Sequence, residues 1–452
     1  MPIQSDEFAR AMHAIGYFEK SPLIAVGISG GADSVALLLL ADVWARGQGG
    51  RVVGLTVDHG LRADSVAEAQ WVADTVRSRG IEHHVLSWQG QKPVSGIQEE
   101  ARNARRKLML DWCRDHGVLH LCLAHHANDQ VETHLMRMAR GGGPVGLAGM
   151  SQVREYAHTR IVRPLLSIEK DRLEATLQVL GQGWLNDPSN DKDQFERVRV
   201  RRAVSELAVM GGGVSALAES IVEQGNLRRD LEELGARTLA SCAALYPAGY
   251  ARLNLRTLDI NGGVAAKYAF SRLVMAIGGR RYPIAQEKLE RARQSLSQHG
   301  AQGRLTVGGC LFSRGDDGVL ITREERNLPP RQPVPVGQPL HWDNRFVLSL
   351  GRDGAKCETR TEIGGLGHQG WDRLVHATPE LRQHRVPLSA RYALPTLFHG
   401  DEIIAVSHLT NTYPEIHPHC RGFEKAAFLP PEPVLGGMFA VAFADFCTIS
   451  GT

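Results

Sequence analysis

From its amino terminus the chain shows an apolar run rich in β-formers, Leu23 to Ile28. A polar hexad follows, Ser29-Gly30-Gly31-Ala32-Asp33-Ser34, and then the run Val35 to Ala45, which has the length of a helix. The pattern predicts strand, turn, helix. It then repeats: Arg51 to Asp58 reads as a strand, Ala63 to Ser78 as a helix and His84 to Trp88 as a short strand. Ser95-Gly-Ile-Gln98 has capping-box spacing and opens a helix to about His116. Strand His120 to His125, helix Asp129 to Ala139, strand Arg160 to Leu166 and helix Glu169 to Leu180 complete the series. Such alternation predicts an α/β domain over residues 1–210, a doubly wound parallel sheet whose ligands sit beyond the carboxyl ends of the strands.

Beyond about residue 205 the alternation stops, and Gly211-Gly212-Gly213 reads as a linker. Residues 214–328 predict a mainly helical domain, with helices at 214–235 and 264–299 and short strands between Gly303 and Thr322. Pro329-Pro330-Arg-Gln-Pro333-Val-Pro335 marks a second boundary. A small β-rich domain is expected over residues 336–452, with strand-like segments Arg345 to Leu350, Asp401 to Val406 and Met438 to Phe443.

Composition narrows the classes. A chain of 452 residues is too long for one ordinary core, and 43% hydrophobic with 22% charged residues is the balance of a soluble globular protein. The longest apolar run falls far short of the roughly 18 residues of a membrane span, and Met1-Pro-Ile-Gln-Ser-Asp-Glu lacks the features of a secretory signal. A cytoplasmic protein with no membrane partner is expected. The seven cysteines form no Cys-x-x-Cys pair, so neither a zinc knuckle nor a disulfide framework is indicated. A net charge of +3 does not by itself point to nucleic acid; local clusters must.

The hexad carries the first chemical signal. Two adjacent glycines let the backbone turn tightly and approach a ligand, so that amides of the turn and of the first helical turn can face phosphate oxygens. A Walker A loop needs a lysine where Ala32-Asp33 stands, and the dinucleotide fingerprint Gly-x-Gly-x-x-Gly is absent. Ser-Gly-Gly-x-Asp-Ser resembles the loop of enzymes that split ATP between its α and β phosphates. The plainer alternative is a glycine turn in which Asp33 or Ser34 merely caps the helix.

Five further strings follow in order: Asp58-His-Gly-Leu-Arg62, His125-His126-x-x-Asp129-Gln130-x-Glu132-Thr133, Gly146-Leu-Ala-Gly-Met150, Arg163-Pro-Leu-Leu166 and Trp184-x-x-Asp187-Pro-Ser-Asn190. With these, residues 1 to about 205 resemble the tRNA(Ile)-lysidine synthetases. The resemblance implies an adenine nucleotide α-hydrolase-like fold, ATP and Mg2+ as cofactors, and L-lysine and tRNA(Ile) with a CAU anticodon as substrates. It also implies the reaction: adenylation of C2 of the wobble cytidine, then displacement of AMP by the lysine amine. By the same resemblance Ser29, Gly30, Gly31, Ala32, Asp33, Ser34, Thr56, His59 and His125 bind ATP, and Asp33 and Asp129 are catalytic and hold magnesium. Arg102 and Arg105 join the catalytic set, and Arg62, Arg197, Arg199, Arg201 and Arg202 contact tRNA. The long C-terminal part is implied to grip the tRNA, in a monomer or homodimer.

Several of these residues also have plainer readings. Asp129-x-x-Glu132 has the spacing of a capping box with Asp129 as cap. Asn128 stands where the family commonly has an aspartate, and Val198 where it has an asparagine, so position 128 brings no charge to a metal. His125 and His126 alternate in direction on a strand, which assigns one to the nucleotide and the other to packing. Arg102, Arg105 and Arg106 share a helix face with Glu99, which could simply pair with Arg102. His59 and Arg62 could belong to a turn held by Asp58. Trp184 and Phe195 suit core packing or stacking on a base. Two rival functions remain at this point: a tRNA thiolase of the same superfamily, and a catalytically idle RNA-binding homologue.

Overall fold

The computed structural model describes residues 1–60, 65–89, 97–185, 200, 214–298, 304–315, 318–335, 339–350, 361–409 and 423–442. They divide between two compact units, residues 1–230 with 437–452, and residues 231–436.

The first unit is built on six strands in the order β3-β2-β1-β4-β6-β5. They are Leu23–Gly27 (β1), Arg51–Asp58 (β2), Glu82–Ser87 (β3), His120–Cys122 (β4), Val153–Glu155 (β5) and Arg160–Val162 (β6). The pairings from β3 through β6 are parallel, and β5 alone runs antiparallel at the edge. Parallel strands covered on both faces read as continuous apolar runs, as β1 and β2 do.

Helix Ala32–Gly47 (α2) is apolar all round from Val35 to Ala41, where it is enclosed and every residue is buried, and turns polar toward its exposed end, where Arg46 pairs with Asp42. It shares a core with Ser5–Ile15 (α1), Ser65–Ser78 (α3), and Lys170–Val179 on one sheet face. On the other face Met109 and Cys113 of Ile97–Asp115 (α4) pack against Ala25, Leu55 and Leu121. The chain steps one way from β1 to β2 and β3, and the other way to β4 and β6. The order therefore reverses between β1 and β4, the place where doubly wound sheets bind their ligands.

Sequence and structure differ at two places that matter for the site. The helix expected to start at Asp129 starts two residues earlier, as Ala127–Ala139 (α5). Residues 438–442, expected as a strand, have no regular structure, although Phe439 and Val441 are buried as a period of two requires. Their apolar partners are Ala148 and Val222, in a loop and a helix rather than a neighbouring strand.

In the second unit, helices Gly263–Ile277 and Gln286–Gln298 lie in one core with a five-stranded antiparallel sheet, to which Ala243–Tyr246 and Tyr250–Leu253 add strands the sequence pattern did not mark. The strands expected between Gly303 and Thr322 are there as Arg304–Val307, Cys310–Gly315 and Gly318–Arg323. Two further sheets, of four and three strands, draw their strands from the described residues between Gln332 and Phe428, with helices Gly367–Ala377 and Leu388–Arg391 between two of those strands, and Pro329 to Pro335 lies inside this unit.

Candidate active site at the sheet's switch point

The turn after β1 is held by its own side chains. Ser34 Oγ accepts the Ser29 N–H at 3.1 Å and donates to the Gly31 carbonyl at 2.9 Å. Gly31 is the N-cap of α2, so the N–H groups of Ala32 and Asp33 open the helix without intrahelical partners. N–H groups so placed can face an anion. Gly30 has φ +87°, and a Cβ there would meet Leu185 Cδ1 at 2.8 Å and Val72 Cγ2 at 3.1 Å. Gly30→Ala therefore costs about 1–3 kcal/mol and weakens ATP binding, measured by the denaturant midpoint and by nucleotide titration. An unchanged midpoint would show the turn to be slack.

After β4 the chain reaches His126, the N-cap of α5. Asp129 does take part in a cap, but from the third helical position: its Oδ2 accepts the His126 N–H at 3.1 Å. The Asp129-to-Glu132 spacing mimicked the real box three residues downstream. Asn128 turns elsewhere, its Oδ1 accepting the Lys170 N–H at 3.1 Å.

His126 is the residue that the sequence reasoning left out of the site. Its Nε2 lies 3.4 Å from Asp33 Oδ2 and 3.5 Å from Asp129 Oδ2, so one imidazole spans the two carboxylates. Burial alone would push its pKa down, but the bond to Asp33 and the charges of Asp129, Asp33 and Glu132 outweigh that and raise it. Alternation on the strand was the available signal, and it assigned one histidine to packing. The buried one, His126, proves to touch both carboxylates, while His125 is half-buried.

Among described residues, Oδ1 of Asp33 is buried without a hydrogen-bond partner. No group of three or more His, Cys, Asp or Glu suited to a metal occurs among the described residues. A pair of carboxylates completed by substrate phosphates is nevertheless the donor set that magnesium commonly takes, and Asp33 with Asp129 fits it.

Arg105 extends to the carboxyl end of β1, its Nη2 3.8 Å from where a Cβ on Gly27 would stand. Burial and the neighbouring charge of Arg102 hold its pKa below the usual range, and Arg102 itself is exposed. Thr56 is buried, with its hydroxyl donating to the Ile28 carbonyl at 3.1 Å and 2.9 Å from His83 Nε2. It braces the strand that delivers the loop. Asp58 Oδ1 accepts the Gly60 N–H at 2.9 Å, a local turn, and His59 stands edge-on to Trp88. Trp184 packs against the core shared by α1 and α2. Arg62, Phe195, Arg197, Arg199, Arg201 and Arg202 lie outside the described residues.

Residues 4–208 match the PP-loop domain family. The chain is 34% identical over 392 residues to a tRNA(Ile)-lysidine synthase of Ruegeria pomeroyi, covering 84% of this chain and 87% of that one. It is 38% identical over 405 residues to a protein of the same name in Brucella suis biovar 1, covering 86% and 87%. Among solved structures, a U34-tRNA thiolase from Methanococcus maripaludis with its [4Fe-4S] cluster aligns with a TM-score of 0.41 at 15% identity, over 47% of this chain and 76% of that one.

Proposed function

The chain belongs to the tRNA(Ile)-lysidine synthase family, and from that premise we propose that Asp33, His126 and Asp129, at the ends of β1 and β4, form the centre of its catalytic site. The enzyme is an ATP-dependent ligase acting on tRNA, joining lysine to C2 of the wobble cytidine of tRNA(Ile) with a CAU anticodon. The observation that carries the site assignment is one buried histidine spanning two carboxylates at the sheet's switch point.

The cytidine C2 carbonyl is a poor electrophile, so its oxygen first attacks the α-phosphorus of ATP. The new O–P bond replaces the bond to the bridging oxygen, and pyrophosphate leaves. The amides of Gly30 to Asp33 hold that pyrophosphate, and the Arg105 guanidinium offsets its charge. The lysine amine then attacks C2, forming C–N as the C–O bond to AMP breaks and the amine loses a proton. Asp129 orients the incoming lysine ammonium, which releases one proton to solvent to become the attacking amine before the C–N bond forms. Magnesium, held by Asp33 and Asp129, would neutralise phosphate charge during the first transfer.

The thiolase alternative needs a reactive thiol. Among the described residues, burial pushes the thiols of Cys113, Cys122 and Cys310 up to about 12 and that of Cys242 to about 11, so these four stay thiols at neutral pH, while Cys357, Cys420 and Cys447 lie outside the described residues. Incubation with ATP, magnesium, labelled lysine and a tRNA(Ile) bearing CAU is expected to place label in the tRNA and release AMP. No lysine label in the tRNA, with sulfur entering instead from a labelled sulfur donor, would overturn the assignment.

A further inference from the structure

Helix α5 carries Asp129 at its start and grips a loop with the side chains that follow. Gln130, buried, accepts the Met150 N–H at 2.6 Å through Oε1 and donates to the Met150 carbonyl at 2.9 Å through Nε2. One turn on, His134 Nδ1 lies 2.8 Å from the Leu147 carbonyl, and Arg137 Nη1 donates to the carbonyls of Gly146 and Gly149 at 2.7 and 2.8 Å. Positions 130, 134 and 137 share one helix face, so the Gly146-to-Met150 string is a fixed abutment for α5.

The far side of that abutment is held by a segment almost 290 residues downstream. The Ala440 N–H donates to Ser151 Oγ at 3.0 Å, and the Ala440 carbonyl accepts the Gln152 N–H at 2.9 Å. Phe439 and Val441 on either side are buried against Ala148 and Val222. Arg228 closes the arrangement, its guanidinium 4.3 Å above the Phe439 ring while Nη1 donates to the Val145 carbonyl at 3.2 Å. A six-residue segment with no regular structure thus completes a small core of its own.

We propose that residues 437–442 are a positioning clamp for the active site: by fixing the 145–152 loop they hold α5, and with it Asp129, in register with His126 and Asp33. Phe439 and Ala440 are positioning residues in this sense, acting through the contacts with Ser151, Gln152 and Ala148. The clamp rests on the functional reading for its kinetic readout only. Its mechanical part stands on the contacts themselves.

The test uses the full chain with Phe439→Ala, Phe439→Leu and Ala440→Pro, the last removing one N–H donor while keeping both apolar anchors. Phe439→Ala and Ala440→Pro are expected to lower kcat for lysine incorporation on the order of 10-fold, because small misplacements of a catalytic group are costly. KM for tRNA should stay within about twofold, and Phe439→Leu should recover most of kcat. In parallel, hydrogen exchange at the amides of residues 128–134 should quicken while β1 and β2 stay protected. Wild-type kcat and unchanged exchange in Ala440→Pro overturn the clamp, as does a raised KM for tRNA with kcat intact. A wild-type chain that fails to join lysine to tRNA counts against the functional reading instead, and the exchange measurement still decides the clamp.

Discussion

Asp33→Asn is expected to lower the turnover of lysine into tRNA on the order of 1,000-fold, about 4 kcal/mol of transition-state stabilisation. The substitution preserves shape. Its neighbours Val35 to Ala41 remain in the core of α2, so the first unit should unfold at nearly the same denaturant concentration. What changes is charge. Oδ2 no longer brings a carboxylate to His126, and the unpartnered Oδ1 ceases to be a hard anionic donor for a cation.

A second readout follows from the histidine. The bond to Asp33 is the foremost influence raising the His126 pKa, so its loss lowers that pKa, which an NMR titration of the imidazole measures. The sign for stability follows as well. A raised folded pKa gives a contribution fully present below the unfolded value of about 6.5 and lost as pH rises through the folded value. Asp33→Asn should shrink that pH-dependent part. A turnover within about threefold of wild type would remove Asp33 from the chemistry.

How much of this site could be read beforehand depended on the range of the interactions involved. The β1 run, the hexad and α2 are contiguous, and each local preference agrees with the fold, so strand, turn and helix were legible. The start of α5 was not. Asp129 and Glu132 imitate a capping box, while the real pair, His126 and Asp129, has a histidine where the motif calls for a hydroxyl or amide residue. The role of His126 needed β1 and β4 side by side, which no spacing along one segment reveals. The Gly146-to-Met150 string was visible as a motif, but its meaning lay in three side chains of α5 and in Ala440. In the second unit Ala243–Tyr246 and Tyr250–Leu253 form a hairpin of four-residue strands, too short for a clear period of two, and the support for it comes from the distant strand Gly318–Arg323, which left Ala243 to Leu253 unmarked.

The same reason hid the feature of the second unit with the largest expected effect on stability. Trp342 and Phe346 end two paired strands joined by Asp343, Asn344 and Arg345; Asp343 and Asn344 both have φ +51°, and the Arg345 N–H donates to the Trp342 carbonyl at 3.1 Å to close the turn. Asp343 is 3% exposed at its side chain, and its carboxylate takes Arg345 Nε at 2.5 Å and Arg323 Nη2 at 2.8 Å. Both guanidinium groups are buried too, and their remaining donors go to carbonyls. Arg323 reaches Gly309 and Asn327, and Arg345 reaches Gly249 and Ala393. One carboxylate therefore balances two enclosed cations that tie together segments from residue 249 to residue 393. Burial holds the Arg345 pKa below its usual range, and Asp343 is the first influence opposing it.

Asp343→Asn isolates the charge, since asparagine tolerates the same positive φ. It leaves Arg323 and Arg345 facing each other without a counter-ion, and breaking a buried pair in this way costs about 3–5 kcal/mol. Chemical denaturation followed through the buried Trp342 and Trp371 should show the loss, with the first unit's transition unmoved, because every partner of the cluster lies in the second. Asp343→Asn combined with Arg323→Met should recover part of it by removing one stranded cation. A loss under about 1 kcal/mol in the single variant would mean that the carbonyls alone satisfy the two guanidinium groups, and that the carboxylate is not what holds this unit together.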